Sequence, residues 1–234
     1  MKHGSLVLVR HGESRLNELN RFSGWLDIPL SQFGVDEART LASFCKRFHY
    51  TIAFTSELER AHETLLIILS QQKKIGIFDH GKDKRYNHLD HLPKSLRENI
   101  IHIYSSEALN ERTYGDLQGL VKTVAEKQYG KEQVFRWRRG FDERPPNGES
   151  LKDVYNRVIP YFKKTVHSHI KNGESVLLVA HGNTIRALMK YFENIADDKI
   201  ALVDLPTAQP IVYNFKDGEY CRSHGEFNYY RPLR

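Results

Sequence analysis

The stretches LVLVRHG (6–12) and LLVAHGN (177–183) each carry a valine-rich apolar run into His-Gly. Runs this short and this rich in β-branched residues suit strands buried on both faces, here 5–9 and 175–180. In an open parallel sheet, ligands sit beyond the carboxyl ends of the strands, at a switch in strand order. If the two strands are neighbours, His11 and His181 meet in one crevice. One histidine at a strand end is usually structural. Two with the same local grammar point to a shared site.

The intervening sequence supplies the other layers. TIAFTS (51–56) and IIHIYSS (100–106) read as weaker strands. In 34–48, Val35, Ala38, Leu41, Cys45 and Phe48 fall on one helical face; in 57–72, Leu58, Ala61, Leu65, Ile68 and Leu69 do the same. After NGES, Ser150 is expected to cap a helix carrying Leu151, Val154, Tyr155, Val158 and Phe162, with Pro160 kinking or restarting it. A further helix follows AHGN, with Ile185, Leu188, Met189 and Phe192 on one face and Asn183 as its N-cap. Strands alternating with helices predict an α/β fold, three-layer α/β/α with a central, mostly parallel sheet. The 234 residues suit one large domain, 1–234, in which the polar, aperiodic segment 73–99 reads as a surface excursion.

Apolar residues make up 40% of the chain and charged residues 27%, enough apolar content for a sizeable core. Cys45 and Cys221 are the only cysteines, too few for a disulfide framework or a cysteine zinc site. The first apolar run stops at Arg10, too short for a signal peptide or a membrane span. A soluble, cytoplasmic protein is therefore expected. The net charge of +6 is scattered, with no basic run or stripe. A solvated, mildly basic surface is one reading; of the functional ones, a small, strongly anionic substrate is favoured over nucleic acid because several arginines sit inside motif-like stretches, and no membrane partner is expected. Gly76, Gly81 and Lys82 have phosphate-loop spacing, but Asp83 stands where magnesium would be bound and no helix is predicted to follow. His88, Asp90 and His91 read as a polar loop, so no metal is expected.

Arginines accompany the histidines. Arg10 precedes His11, and Arg60 opens a helix after a strand in TSELERA. Guanidinium groups match phosphate through paired hydrogen bonds. A neutral imidazole can attack phosphorus and hold the phosphoryl group covalently, while arginines and a second imidazole offset charge on its oxygens. Gly12 is expected to let phosphate approach the backbone closely.

RHGES, NRFSGW, TSELERA, LNERTYGDLQGLVK, WRRG and AHGNTIRAL together resemble the histidine phosphatase superfamily. Within it the match is to the cofactor-dependent phosphoglycerate mutases, over roughly 5–72 and 100–215. The resemblance implies interconversion of 3-phosphoglycerate and 2-phosphoglycerate through a phosphohistidine, primed by 2,3-bisphosphoglycerate and needing no metal. It implies His11 as nucleophile, with Arg10, Arg60, His181, Asn17 and Gly182 around the phosphoryl group and Glu111 as proton donor and acceptor. Ser23, Gly24, Tyr114, Lys122, Arg138, Arg139 and Asn183 would hold the rest of the substrate. A homodimer or homotetramer would be usual for the family. The ending lacks the lysine-rich tail of longer members, although Phe227, Tyr229, Tyr230 and Arg231 offer a short substitute. A phosphatase, with water as acceptor, is the alternative. A non-catalytic scaffold fits less well, because His11, Arg10, Arg60, Glu111 and His181 are all present.

Overall fold

A computed structural model describes residues 4–81 and 89–223. Strands β1 (Gly4–Arg10), β2 (Ile52–Thr55), β3 (Ile75–Phe78), β4 (Ile100–Ser105), β5 (Ser175–Ala180), β6 (Pro210–Lys216) and β7 (Glu219–Arg222) form one seven-stranded sheet. Its order is β3-β4-β2-β5-β1-β6-β7. The first five in that order run parallel; β6 and β7 are antiparallel additions at one edge. The expected α/β class and mostly parallel sheet are what the structure has. β1 and β5 pair in register, with Val9 opposite Val179 and Arg10 opposite Ala180.

The alternation along β1 builds both layers of core. Leu6 and Leu8 join Leu178, Val154, Val158, Phe162 and Leu188 on one face. Val7 and Val9 join Val179, Leu41, Cys45, Leu65 and Ile68 on the other. The second layer is helices α2 (Gln32–Cys45) and α3 (Glu59–Leu69), which follow the one-turn helix α1 (Arg15–Glu18). After the one-turn α4 (Lys94–Arg97) come α5 (Lys122–Tyr129) and α6 (Lys131–Arg139), which close over Phe22, Leu117, Ala125, Val134 and Trp137 as a smaller third cluster. The first layer is α7 (Leu151–Tyr161), α8 (His167–Lys171) and α9 (Gly182–Glu193). Among the described residues, no helix is long and apolar enough to cross a membrane.

The helix start at Ser150 is as expected, with a reciprocal cap between Ser150 and Asp153. Several expectations need correction. Helices predicted over 34–48 and 57–72 span 32–45 and 59–69. Pro160 does not start a new helix. The α-helix runs through it to Tyr161, and the winding then widens into a π-helical stretch, Phe162–Val166, before α8. A proline lacks the N–H of its turn and crowds the carbonyl before it, and a wider turn is one way to absorb that. Within 73–99, Ile75–Phe78 adds an edge strand beside β4 that has no buried residue. Gly76 lies in that strand, so the phosphate-loop spacing does not sit on a strand-loop-helix turn. Lys82, Asp83, His88 and the aromatic ending (Phe227, Tyr229, Tyr230, Arg231) lie outside the described residues. Strands β6 and β7 and helices α5 and α6 were not anticipated.

Gly34, in the first turn of α2, shows where the backbone rather than the side chains sets the packing. A Cβ there would lie 2.0 Å from the carbonyl oxygen of Glu13. Helix propensity alone favours Gly34→Ala by about 1 kcal/mol. Overpacking against a fixed carbonyl costs about 1–3 kcal/mol or more. The variant is expected to be destabilised, read as a lower urea midpoint at unchanged slope.

Candidate active site

His11 and His181 stand just beyond the ends of β1 and β5, and the pairing of those strands brings their rings to 4.9 Å between centroids. Both are buried. His11 Nδ1 lies 2.6 Å from the carbonyl oxygen of Gly12. A carbonyl can only accept, so Nδ1 carries the ring proton and Nε2 keeps its lone pair. Burial, then the charges of Arg60 and Arg10, push the His11 pKa well below its usual range, so the imidazole is neutral. His181 is held neutral by burial, Arg60, His11, Arg10 and Arg157. Its Nε2 lies 2.7 Å from the Ser56 hydroxyl, while Nδ1 has no partner.

A cavity of about 150 Å³ opens over His11. Arg10, Asn17, Ser23, Gly24, Arg60, Glu111, Tyr114, Lys122, Arg138, Arg139, Gly182 and Asn183 all line it. Every expected site residue except His181 is therefore at the cavity wall, and His181 packs directly against His11. Arg60 comes from the first turn of α3 and is almost fully buried. Its terminal nitrogens donate to the Leu26 and Gly24 carbonyls at 2.9 and 2.8 Å, and burial pushes its pKa down to about 10, which leaves it charged at neutral pH. Arg10 donates to the Leu205 carbonyl. Asn17 accepts the Ser14 N–H and hydroxyl on its oxygen, so it has only N–H donors to offer the cavity.

The far wall comes from the smaller cluster. Tyr114 packs on Phe22 with ring centroids 4.9 Å apart, and α5 and α6 bring Lys122, Arg138 and Arg139. Burial, then Arg138 among its cationic neighbours, lowers the Lys122 pKa. Glu111 Oε1 accepts from Asn183 Nδ2 at 2.9 Å and from the Arg112 N–H at 2.7 Å. Asn183 is not the N-cap of α9. His181 holds that position, and Asn183 lies within the first turn, where its amide spans Glu111 and Arg186. Gly12 also has a different reason from the one expected. A Cβ there would lie 2.4 Å from the Gly34 carbonyl oxygen, and the Gly12 N–H is taken by Thr64 Oγ1 at 3.1 Å.

Sequence reasoning missed Arg21, Arg186 and Asp204, which also line the cavity. Arg186 is buried and donates to the carbonyls of Arg139 and Ile200 at 2.6 and 2.7 Å, tying α9 to the end of α6. Burial, then Arg112, lowers its pKa to about 9. Asp204 pairs with Arg139 at 3.0 Å. Arg186 was legible only as the arginine of AHGNTIRAL; Asp204 carried no signal.

Arg10 Nε, Arg60 Nε, Arg186 Nε, Ser23 Oγ and His181 Nδ1 are buried without a hydrogen-bond partner. Buried polar atoms are normally satisfied. Their concentration around one cation-rich cavity fits a phosphorylated anion. Among the described residues, no group of three or more His, Cys, Asp or Glu is placed to hold a metal ion.

Residues 6–84 and 90–224 match the histidine phosphatase superfamily (branch 1), and the chain belongs to that superfamily. Within it, the sequence falls among the phosphoglycerate mutases. A 2,3-bisphosphoglycerate-dependent phosphoglycerate mutase of Methanosarcina mazei is 46% identical over 228 residues, covering 95% of each chain. A phosphoglycerate mutase of Schizosaccharomyces pombe is 45% identical over 218 residues, covering 92% of each. A mycobacterial glucosyl-3-phosphoglycerate phosphatase shares the fold, with a TM-score of 0.75 over 94% of this chain and 97% of that one at 22% identity.

The buried histidines make stability depend on pH. Unfolded, both titrate near 6.5; folded, both titrate well below that value. Between the two values the unfolded chain binds more protons, so stability is full above pH 6.5 and falls as the pH drops below it. Each histidine contributes up to about 1.4 kcal/mol per pH unit. Urea midpoints from about pH 7.5 to about pH 5 are expected to fall, and to fall less steeply in His181→Asn.

Proposed function

We propose that the protein is a 2,3-bisphosphoglycerate-dependent phosphoglycerate mutase, interconverting 3-phosphoglycerate and 2-phosphoglycerate through a phosphoryl group carried on His11 Nε2. The observation that carries this reading is one cavity lined by a neutral His11 with Glu111 and, beyond the Arg10 and Arg60 beside His11, by three further cations, Lys122, Arg138 and Arg139. A phosphatase needs to hold only the phosphoryl group. A mutase must also hold and turn the rest of a doubly anionic substrate, and a second cationic wall serves that purpose.

2,3-Bisphosphoglycerate would supply the first phosphoryl group. His11 Nε2 forms a bond to phosphorus as the P–O bond to the glycerate oxygen breaks, and the oxygen takes a proton from Glu111. In the return step, Glu111 accepts the proton of the attacking hydroxyl as the N–P bond breaks. Arg10, Arg60, Asn17 and the Gly182 N–H hold the phosphoryl oxygens. The Ser56 hydroxyl accepts the Leu58 N–H at 3.2 Å and lies 2.7 Å from His181 Nε2; donating there, it would leave the His181 proton on Nδ1 for the transferring group. Tyr114, Lys122, Arg138, Arg139, Ser23, Gly24 and Asn183 hold the glycerate carboxylate and second phosphate. A cytoplasmic, glycolytic role accords with this chemistry.

The test is a rate assay on 3-phosphoglycerate with and without 2,3-bisphosphoglycerate, following 2-phosphoglycerate and free phosphate together. Cofactor-stimulated isomerisation with little phosphate release is expected, and Glu111→Gln is expected to lower it about 10²–10⁴-fold. Phosphate release without isomerisation would make the protein a phosphatase instead.

A further inference from the structure

Glu111 lies on a loop gripped from outside the cavity. Arg157, on α7, does not line the cavity, yet every N–H of its guanidinium has an acceptor. Nε and one Nη2 proton go to the Glu149 carboxylate at 2.9 and 3.0 Å. Nη1 donates to the carbonyls of Ala108 and Asn110, both at 3.0 Å, and Nη2 donates to the carbonyl of Glu111 at 2.9 Å. Glu149 in turn accepts the Thr113 N–H at 3.0 Å, so it also holds the chain just beyond Glu111. Trp25 Nε1 adds a donor to the same Glu111 carbonyl at 2.5 Å, and the Arg157 guanidinium lies 5.9 Å from the Trp25 ring centroid.

We propose that Arg157 is a positioning residue for proton transfer at Glu111: its planar fork, braced by Glu149, fixes the backbone from which the Glu111 carboxylate meets the substrate oxygen. The inference rests on the reading of Glu111 as proton donor and acceptor. The geometry calls for arginine specifically. A lysine ammonium has a compact tetrahedral set of donors and cannot meet a bidentate carboxylate and three carbonyls lying around one plane. Stability alone is a weaker account of the same contacts. Thr184 Oγ1, on α9, already places its one proton between the Asn110 and Leu109 carbonyls, at 2.8 and 3.2 Å, so the loop is anchored without Arg157. Arg157 adds the one side-chain bond from α7 to the Glu111 carbonyl itself.

A positioning role and a merely structural one separate by leaving group. Phosphoryl transfer from a glycerate ester needs a proton on the departing oxygen. Transfer from acetyl phosphate, whose leaving group is a carboxylate, needs none. Arg157→Lys, Glu149→Gln and Glu111→Gln are compared with the unaltered protein in two assays: isomerisation, and His11 phosphorylation by acetyl phosphate trapped by quenching. Arg157→Lys is expected to lower isomerisation kcat at least about tenfold with KM within about twofold, since a displacement near 1 Å costs up to about 10²-fold. Its acetyl phosphate reaction should stay within about threefold on the same grounds. Glu149→Gln, which keeps the arginine but weakens its brace, should show the same selectivity to a smaller degree. Equal loss in both assays, or no loss in either, would overturn the proposal. Glu111→Gln separates the two claims. If it keeps isomerisation, the reading of Glu111 fails. If it loses isomerisation selectively and Arg157→Lys does not, only the positioning role fails.

Discussion

The in-register pairing of β1 with β5 at the centre of the sheet is the contact on which the rest depends. It places Arg10 opposite Ala180 and so delivers His11 and His181 to one edge of the sheet. The same alternation that sends Leu6 and Leu8 to one core and Val7 and Val9 to the other makes the strand too well determined to slip. A shift of one residue would exchange the faces and bury the wrong side chains. The histidines therefore sit where core packing puts them, and their buried setting follows. Burial beside Arg10 and Arg60 disfavours imidazolium, which keeps His11 in the nucleophilic form. One cluster of charge thus does two things: it attracts an anion, and it holds the attacking nitrogen neutral.

The site has a second half with its own small core. Phe22, Leu117, Ala125, Val134 and Trp137 hold α5 and α6 in place, and these helices bring Lys122, Arg138 and Arg139 to the cavity. Arg186 ties this wall to α9, and Arg157 ties the Glu111 loop to α7. Both use backbone carbonyls as acceptors. The sheet thus provides the groups that act at phosphorus, while the smaller cluster and its arginine ties provide those that orient the remainder of the ligand and handle its proton.

What could be read in the sequence follows this division. The two His-Gly turns were legible because strand runs and strand-end residues form a local pattern, and Arg60 because it opened an amphipathic helix after a strand. The far wall was not legible from periodicity. α5 and α6 are predominantly polar, and Glu111, Arg138 and Arg139 read alone as surface charges; they entered through the family resemblance. The edge strands β3 and β7 escaped because such strands are set by one neighbour's ladder rather than by their own burial pattern; neither has a buried residue. Asn183 looked like an N-cap because its side chain suits one, but the cap is two residues earlier, at His181, and the Asn183 amide is drawn to Glu111. Gly12 was expected to admit a ligand and instead admits the backbone of α2. Arg157 and Arg186 show the limit most plainly, since most of their acceptors are backbone carbonyls that no sequence pattern marks.

The bond from His11 Nδ1 to the Gly12 carbonyl leaves Nε2 as the attacking atom. The most direct test is to phosphorylate the protein with 2,3-bisphosphoglycerate, keep it at alkaline pH, and identify the phosphorylated atom by ³¹P and ¹⁵N nuclear magnetic resonance with peptide mapping. One phosphoryl group is expected, on Nε2 of His11. Phosphate on Nδ1, on His181, or on no histidine would contradict it.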